Sequence, residues 1–233
     1  MPRSVEALII SFNEPQLERC LQAVREQTIP FSNITHINGI SPEHNAFNSG
    51  ISLVTNEWVM KIDGDMILYE DAVETVLRSS DENESDLYMY SFGLDDTFIK
   101  RPICGVGVFR ARLYRSIRYP NMLSNDVYAG KKIQRMGWKR KKPFKEGVNI
   151  GTHCDSPDEF QVFRRFYTNG VKDGLFMLRF LTPLFEQTKD PLYDLAIKAV
   201  RFGAQKRYYP TSHNLSFDKK MFEEFYAYCR RNS

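Results

Sequence analysis

The sequence predicts an α/β protein with a mainly parallel sheet, followed by a helical carboxy-terminal region. In the first part of the chain, short runs of β-forming residues alternate with stretches of helical periodicity, which is typical of parallel strands joined by helices. Beyond about residue 157 the strand patterns disappear, and Phe, Tyr, Leu and Arg recur at helical spacing. We therefore predict an α/β domain over residues 1–156 and a helical region over residues 157–233 that packs on it.

Each early element follows from a local pattern. Runs rich in β-branched and aromatic residues predict the strands, and apolar side chains three or four residues apart predict the helices. Leu17, Cys20, Leu21 and Val24, for example, would share one face of a helix. In chain order the elements are a strand over 5–12, a helix over 15–27, a strand over 33–38, a helix over 46–54 and a strand over 57–62.

After residue 65 the alternation continues and then gives way to helices alone. Gly137 is a typical helix-ending residue and closes the last helix of the α/β domain. The predicted elements are a helix over 70–80, strands over 87–92 and 103–110, a helix over 125–136, and helical stretches over 160–180, 191–202 and 217–230.

Composition restricts the class of protein. The chain has 233 residues, of which 42% are hydrophobic, so it can bury a substantial core. A net charge of +3 does not favour a dedicated nucleic-acid-binding protein. The four cysteines are scattered, without metal-ligand spacing or a disulfide framework, and we expect reduced thiols. With no signal-peptide pattern and no run of about 20 apolar residues, the sequence predicts a cytoplasmic protein without a transmembrane segment.

Asp63-Gly64-Asp65 is the pattern with the most chemical content. It follows the predicted strand over 57–62, and open α/β sheets bind ligands at the carboxyl ends of their strands. Mn²⁺ and Mg²⁺ prefer carboxylate oxygens and keep open positions for substrate phosphates. The same triplet also forms ordinary turns without a metal. A calcium-binding EF-hand is excluded, because Ile67 and Leu68 stand where an oxygen ligand and the turn glycine belong.

Several segments, taken in order, resemble the inverting family 2 glycosyltransferases of the GT-A fold over roughly residues 4–170. Asp63-Gly64-Asp65 occupies the place of that family's DxD motif. The other matching segments are Ser11-Phe12-Asn13-Glu14-Pro15, Asn45-Ala46-Phe47-Asn48-Ser49-Gly50-Ile51, Gly105-Val106-Gly107-Val108-Phe109-Arg110, and Ser124-Asn125-Asp126 at the head of a helix that ends in Met136-Gly137. The resemblance implies a Rossmann-like, three-layer sandwich with a GT-A catalytic domain over residues 1–156.

The resemblance also implies the reaction and its metal. Such an enzyme moves a sugar from a nucleotide-diphosphate donor to an acceptor hydroxyl, with Mn²⁺ or Mg²⁺ bound to the departing diphosphate. Asp65 and Asp63 would bind the metal, and Asp65 would have the firmer role. His153 would add a metal or diphosphate contact, with Asp155 as a weaker neighbour. A lone histidine is also often structural.

The resemblance assigns the base and the donor contacts as well. Asp126 would take the proton of the acceptor hydroxyl, although acids at a helix start are favoured by the helix dipole whatever their function. A phenylalanine at the end of a strand, such as Phe12, is often a core residue. Glu14 followed by proline is also an ordinary helix start. The donor-binding residues would be Phe12, Asn13, Glu14, Asn48 and Asp63.

Two departures from the family pattern concern the donor. Where the family usually has an acidic residue that reads the base, this sequence has Asn38-Gly39-Ile40-Ser41. The basic residue often found ahead of the asparagine-containing helix is absent, and only His44 is nearby to meet a phosphate. The base of the donor therefore stays open.

Residues 131–145 carry eight basic side chains and no acidic one. A solvated face is the usual structure of such a run. Because the run directly follows Asp126, it is also expected to border the acceptor site. There it would favour an anionic acceptor such as nucleic acid, a lipid-linked sugar or a polysaccharide, or a peripheral contact with an anionic membrane surface.

Three alternatives stay open on the sequence alone. One is a glycosyltransferase directed to nucleic acid, and another is a non-catalytic module that binds nucleic acid through the basic run. The third, a sugar-phosphate nucleotidyltransferase, shares the layered sheet and the metal-binding acids. Its chemistry favours a glycine-rich, arginine-bearing phosphate loop, which the amino-terminal segment lacks.

Overall fold

The computed structural model describes residues 4–79, 85–155, 157–206 and 214–231. Contacts divide the chain after Asp155 into two compact units. The amino-terminal unit holds the strands of the described residues, and the carboxy-terminal unit holds helices alone. The predicted helix end at residue 80 lies outside the described residues, as does residue 156. The packing of the second region on the first stays a prediction.

The amino-terminal unit alternates strands and helices as predicted. Its strands are β1 (Glu6–Ser11), β2 (Ile34–Asn38), β3 (Trp58–Asp63), β4 (Met66–Leu68), β5 (Leu87–Asp96), β6 (Arg101–Arg110), β7 (Lys139–Lys141) and β8 (Asn149–His153). Its α-helices are α1 (Leu17–Arg25), α2 (Glu43–Leu53), α3 (Ala72–Arg78), α4 (Ala111–Ile117) and α5 (Asn125–Arg135). Every element predicted for this unit is present, and β4, β7, β8 and α4 are additional.

The strands form one sheet in the order β2-β1-β3-β6-β5-β8-β4, with β7 paired to β5. β1 is parallel to both β2 and β3, whereas β6 is antiparallel to its neighbours β3 and β5. The sheet is therefore mixed rather than purely parallel. The direction reverses because residues 97–100 join β5 to β6 as a hairpin, without the crossover connection that parallel neighbours need.

Helices cover both faces of the sheet. Side chains of β1 alternate between the faces, so that Ala7 and Ile9 join one apolar cluster while Leu8 and Ile10 join another. The first cluster includes buried side chains of α1 and α3, and the second includes those of α2, α4 and α5. The predicted three-layer α/β arrangement is therefore confirmed.

Glu6 is a buried acid at the start of β1, with no exposed surface. Its Oε2 accepts hydrogen bonds from the backbone N–H groups of Thr55 at 2.9 Å and Asn56 at 3.0 Å. Its Oε1 accepts from Asn33 Nδ2 at 3.0 Å and Thr35 Oγ1 at 3.1 Å. Burial alone would raise the pKa of this carboxyl group, but the hydrogen bonds outweigh burial and lower it. The carboxylate thus ties β1 and β2 to the loop that leads into β3.

The carboxy-terminal unit consists of helices among the described residues. They are α6 (Glu159–Asp173), α7 (Leu178–Thr188), α8 (Pro191–Lys206) and α9 (Leu215–Arg231). The stretch predicted as helical over 160–180 is two helices, because Gly174 ends α6 with a φ of 61°. No helix in the described ranges is both long enough and apolar enough to cross a membrane.

Close packing of α6 on α8 depends on two glycines. A Cβ on Gly170 would lie 2.2 Å from the carbonyl oxygen of Val200, and a Cβ on Gly203 would lie 2.2 Å from that of Tyr167. Phe163 stacks on Tyr167 in the same unit, with ring centroids 5.3 Å apart. The helical region therefore has an aromatic core of its own.

We expect Glu6→Gln to destabilise the protein by about 2–3 kcal/mol at pH 7, because an amide nitrogen would replace one of the two oxygens that accept hydrogen bonds. The lowered pKa of Glu6 sets the sign of the pH dependence. Its stabilisation is complete above the pKa of an ordinary glutamate, about 4.3, and disappears as the pH falls through the lower pKa of the folded state. Chemical denaturation of wild type and variant at pH 7 and pH 3 measures this, with the exposed Glu70→Gln as control. An equal difference at both pH values would contradict the prediction.

Candidate active site

Asp63-Gly64-Asp65 lies where β3 ends, beside the end of β1. β1 and β3 are parallel neighbours, and Asp63 is in register with Ile10. The backbone N–H of Gly64 donates to the carbonyl oxygen of Ile10 at 3.0 Å. Residues 12–14, which follow β1, therefore lie next to the acidic turn, as the carboxyl-end rule for α/β sheets predicts.

Gly64 allows the loop after β1 to approach the acidic turn closely. A Cβ on Gly64 would lie 2.5 Å from Glu14 Oε2 and 2.9 Å from Ser11 Cβ. Glu14 Oε2 also accepts a hydrogen bond from the backbone N–H of Phe12 at 2.8 Å. The glycine between the two acids is thus required by close contact, and Glu14 is held against the turn.

A chain of polar side chains links the ends of β1 and β2. Asn13 has a φ of 60°, a left-handed conformation that asparagine tolerates, and its Oδ1 accepts from Asn38 Nδ2 at 2.8 Å. Ser11 Oγ donates to Asn38 Oδ1 at 2.9 Å and lies 2.8 Å from His36 Nε2. Phe12 is half-buried and packs against the apolar cluster that contains α2. Asn13 is therefore fixed at the sheet edge, and Phe12 has a packing role.

Asp63 is paired with a lysine from its own strand. Lys61 Nζ lies 2.6 Å from Asp63 Oδ1 and 3.4 Å from Glu43 Oε1. Burial opposes the ammonium charge, but the two carboxylates outweigh it and raise the pKa of Lys61. Burial raises the pKa of Asp63; Lys61 offsets part of that effect, while Glu43 and Asp65 add to it. The sequence analysis did not identify Lys61, although a lysine inside an otherwise apolar strand indicates a paired or functional side chain.

Asp65 has a different partner. His153 Nε2 lies 3.3 Å from Asp65 Oδ2, and His153 Nδ1 lies 2.9 Å from Asp96 Oδ2. Asp96 is 2% exposed, and its Oδ1 accepts hydrogen bonds from the backbone N–H groups of Phe98 and Ile99. Asp96 therefore orients the imidazole so that Nε2 faces Asp65. Sequence reasoning identified Asp65 and His153 but not Asp96, which only the pairing of β5 with β8 brings to them.

Asp126 is exposed in the first turn of α5. The helix begins after Ser124, whose φ of 58° is left-handed and whose side chain makes no capping hydrogen bond. Asp126 and Asp63 both line a cavity of about 310 Å³. The structure thus brings the predicted base and one of the predicted metal-binding acids to one cavity, from α5 and from β3.

Asn48 has a structural role that the sequence did not indicate. Its Nδ2 donates to the carbonyl oxygen of Tyr119 at 2.9 Å, and its Oδ1 accepts from the backbone N–H of Tyr119 at 2.8 Å. The Tyr119 ring stacks on Phe47 with centroids 3.6 Å apart. Because both ends of the amide are used to hold the segment before α5, we do not include Asn48 among the proposed donor contacts.

The basic run over residues 131–145 divides between two environments. Three of its side chains line the cavity that contains Asp126, namely Lys131, Arg140 and Lys142. Lys139 instead forms an ion pair with Asp86, with Nζ and Oδ2 2.6 Å apart. Three other exposed members also do not line the cavity, namely Lys132, Arg135 and Lys145. The run borders the Asp126 site as expected, but only in part.

Two side chains beside the acidic turn have the chemistry of metal ligands. Asp65 and His153 present an oxygen and an imidazole nitrogen, which suit Mn²⁺, whereas Asp155 pairs with Arg19 at 2.5 Å. In the described part of the chain, no three His, Cys, Asp or Glu side chains are grouped to hold a metal ion. Any cation held by Asp65 and His153 would therefore also need ligands from outside the protein, such as substrate phosphate oxygens.

Solved glycosyltransferase structures share this fold. The mannosyltransferase PcManGT from Pyrobaculum calidifontis, in complex with GDP-Man and Mn²⁺, has a TM-score of 0.53 and 14% identity, over 85% of this chain and 69% of that chain. TarS 1–349 from S. aureus, in complex with UDP, has a TM-score of 0.53 and 11% identity, over 88% and 82%. Another TarS structure has a TM-score of 0.50 and 12% identity over 78% of this chain, which spans only 42% of that one.

No protein-family profile and no curated protein sequence matches the chain. Identities of 11–14% establish the fold alone. The predicted α/β fold of the GT-A glycosyltransferases is therefore confirmed, and the chemistry of the site has to be argued from its own residues.

Proposed function

We propose that this chain is a metal-dependent, inverting glycosyltransferase that moves a sugar from a nucleotide-diphosphate donor to an acceptor hydroxyl. One observation carries the proposal: Asp63 and Asp126 line the same cavity, one from the end of β3 and the other from the start of α5. A donor held at the acidic turn and a base on α5 would therefore meet at one place, as transfer requires. The fold shared with two glycosyltransferase complexes supports this assignment.

The nucleotide would bind between residues 12–14 and the acidic turn. Asn13 and Glu14 offer amide and carboxylate groups to ribose and base, and both are held by hydrogen bonds to their surroundings. Phe12 would contribute packing beneath them. The two complexes of similar fold contain GDP-Man and UDP, and both ligands are diphosphates. A nucleoside diphosphate is therefore the proposed leaving group.

Asp65 and His153 are the residues that would hold Mn²⁺ or Mg²⁺, with Asp63 beside them. When bound, the cation would neutralise the charge that develops on the departing diphosphate. Lys61 contributes from the protein itself, because its pairing with Asp63 and Glu43 reduces negative charge that would otherwise repel an anionic donor.

Asp126 would act as the general base. Its exposed carboxylate is placed to accept the proton of an acceptor hydroxyl as that oxygen attacks the anomeric carbon. The bond between the anomeric carbon and the diphosphate oxygen breaks as the new bond forms, and the diphosphate leaves with the electron pair. Attack from the side opposite the leaving group inverts the configuration of the sugar.

The different environments of the basic residues within 131–145 help to evaluate the two alternatives that involve nucleic acid. A nucleic-acid-binding face would present its basic side chains on one exposed surface. Here Lys131, Arg140 and Lys142 line the cavity, and Lys139 is paired with Asp86. Because no observation favours a nucleic-acid partner, transfer to an acceptor in the cavity is the function that we propose.

Asp126→Asn should lower kcat by about 10²- to 10⁴-fold and leave donor affinity unchanged, because it removes only proton transfer. Asp65→Asn should instead abolish the Mn²⁺-dependent stabilisation of the protein by its donor. A thermal-shift panel of nucleotide sugars with and without Mn²⁺ identifies the donor, and release of nucleoside diphosphate then measures kcat. Asp173→Asn, at an exposed position of α6, is the control. Full turnover in a chelator, or a wild-type kcat for Asp126→Asn, would contradict the proposal.

Asp96→Asn should weaken Mn²⁺ binding by about tenfold or more, because Asp96 sets the orientation and tautomer of His153. Mn²⁺ titration followed by electron paramagnetic resonance measures the affinity, and ¹⁵N chemical shifts of the His153 ring report the tautomer without any metal. Asp95→Asn is the matched control, since the Asp95 carboxylate accepts hydrogen bonds from Tyr69 and Asn149 rather than His153. An unchanged His153 tautomer in the Asp96→Asn protein would exclude this positioning role.

A further inference from the structure

The cavity beside Asp126 carries an excess of positive charge. Lys61 and Asp63, which both line it, neutralise each other at 2.6 Å. The remaining charged side chains of the lining are Lys131, Arg140, Lys142 and Asp126. In the part of the chain that the structure describes, none of these three cations forms an ion pair with a carboxylate. Three cations against one carboxylate leave an excess of two positive charges among the lining side chains; Glu43, which contacts Lys61, does not line the cavity.

Arg140 is anchored by the protein before any ligand arrives. Its Nε donates to Ser91 Oγ at 2.6 Å, and Ser91 is fully buried. A terminal guanidinium nitrogen lies 3.6 Å from Cys104 Sγ, and the pairing of β7 with β5 sets Arg140 opposite Met89. These contacts leave further N–H donors of the guanidinium for the cavity. A guanidinium held in this way binds oxyanions with little loss of side-chain freedom.

One face of α5 forms a wall of the cavity between the Asp126 carboxylate and the basic side chains. Asp126, Gly130 and Gln134 all line the cavity at intervals of four residues, so this wall of the cavity is about 12 Å long. Tyr88 hydrogen-bonds to Gln134 and interacts with the charge of Arg140. Arg140 therefore lies toward the end of the wall that is remote from Asp126. An anion held at Arg140 would leave room for a carbon skeleton that reaches the base.

The wall between the two ends is aromatic. Tyr88, Tyr114 and Tyr119 line it, and burial raises the pKa of each of the three phenols, so they stay neutral. Neutral rings of this kind pack against the carbon atoms of a sugar or polyol. The cavity thus combines an anion-binding end, an apolar wall and a carboxylate.

We propose that this cavity, the basic acceptor pocket, binds a small acceptor that carries a phosphate monoester and presents a hydroxyl to Asp126. This acceptor belongs to the proposed transfer reaction and depends on it. A phosphate monoester carries a charge of about −1.5 to −2 at pH 7, which matches the excess of two, whereas a carboxylate supplies only one. The volume of about 310 Å³ is at the small end of ligand pockets and suits a small molecule.

The phosphate of this acceptor takes no part in bond making. The hydroxyl oxygen forms the glycosidic bond, its proton goes to Asp126, and the donor diphosphate leaves with the electron pair of the broken bond. Arg140, Lys131 and Lys142 act only in binding and orientation. Their loss should therefore raise the KM for the acceptor and leave donor binding unchanged.

Two matched sets of probes test the class of acceptor on the full-length protein. The first is glycerol 3-phosphate, glycerate and glycerol, and the second is glucose 6-phosphate, glucuronate and glucose. We expect at least one phosphate ester to bind tenfold or more tightly than its carboxylate and neutral counterparts, measured by isothermal titration calorimetry. Binding of neither ester, or tighter binding of the carboxylate, would overturn the proposal.

Neighbouring basic residues provide matched variants. Arg140→Gln should weaken binding of the phosphate ester by tenfold or more, while Arg135→Gln, on the exposed side of α5, should not. If Arg140→Gln lowers the thermal midpoint by disturbing Ser91, a second pair of variants on α5 replaces it. Lys131→Gln should then weaken binding of the phosphate ester, while Lys132→Gln, one residue along the helix, should not. Equal losses in Lys131→Gln and Lys132→Gln would overturn the proposal, because a solvated basic face would respond in this way.

Measuring nucleotide binding distinguishes a failure of the acceptor proposal from a failure of the proposed transferase function. Stabilisation by UDP or GDP with Mn²⁺, measured on the same samples, reports the donor site alone. Intact nucleotide binding without preference for phosphate esters would overturn the acceptor assignment and leave the transferase. Absence of nucleotide binding would count against the transferase, while the effect of Arg140→Gln on phosphate-ester affinity would still decide whether the pocket binds phosphate. A single-stranded oligonucleotide that displaces the ester and responds equally to Lys131→Gln and Lys132→Gln would overturn the proposal in favour of nucleic acid.

Discussion

The position of β3 between parallel β1 and antiparallel β6 determines where the site residues of the amino-terminal unit lie. Its parallel edge brings the end of β3 beside the loop that follows β1, so the nucleotide-side residues meet the acidic turn. Its antiparallel edge places β6, and with it the floor of the cavity, on the other side of Asp63. The buried Glu6 carboxylate supports this arrangement, because it ties the loop before β3 to β1 and β2.

The two acids of the turn differ because the chain reverses between them. Asp63 belongs to β3 and takes its partner from that strand, Lys61, whereas Asp65 stands after Gly64 and faces His153 of β8. A carboxylate already paired with an ammonium group has less attraction left for a metal than one beside an imidazole, a side chain that can itself be a metal ligand. The proposal that Asp65 has the firmer metal role therefore follows from the partners as well as from the family resemblance.

Local patterns predicted the elements whose periodicity is strong, such as β1, β3 and α5, and failed where distant contacts decide. β8 contains Asn149, Gly151 and His153, which give no strand pattern, and it is a strand because it pairs with β4 and β5. Gly151 allows that pairing, since a Cβ there would lie 2.5 Å from the carbonyl oxygen of Ile67. The hairpin over residues 97–100 contains neither glycine nor proline, so only Asp95 and Asp96, a residue type common in turns, indicate the reversal before β6 in the sequence. Partners such as Asp96 could not be found for the same reason, because sheet pairing brings them to the site.

The basic run shows why charge counting alone does not identify a binding surface. Eight basic residues within residues 131–145 look like one feature in the sequence, but the helix and the strand that carry six of them impose different periods. Successive side chains of α5 point about 100° apart, so Lys131 lines the cavity and Lys132 does not. In β7 successive side chains alternate, so Arg140 lines the cavity while Lys139 pairs with Asp86. Backbone geometry thus separates the side chains that can define the acceptor from those that remain in solvent or in surface ion pairs.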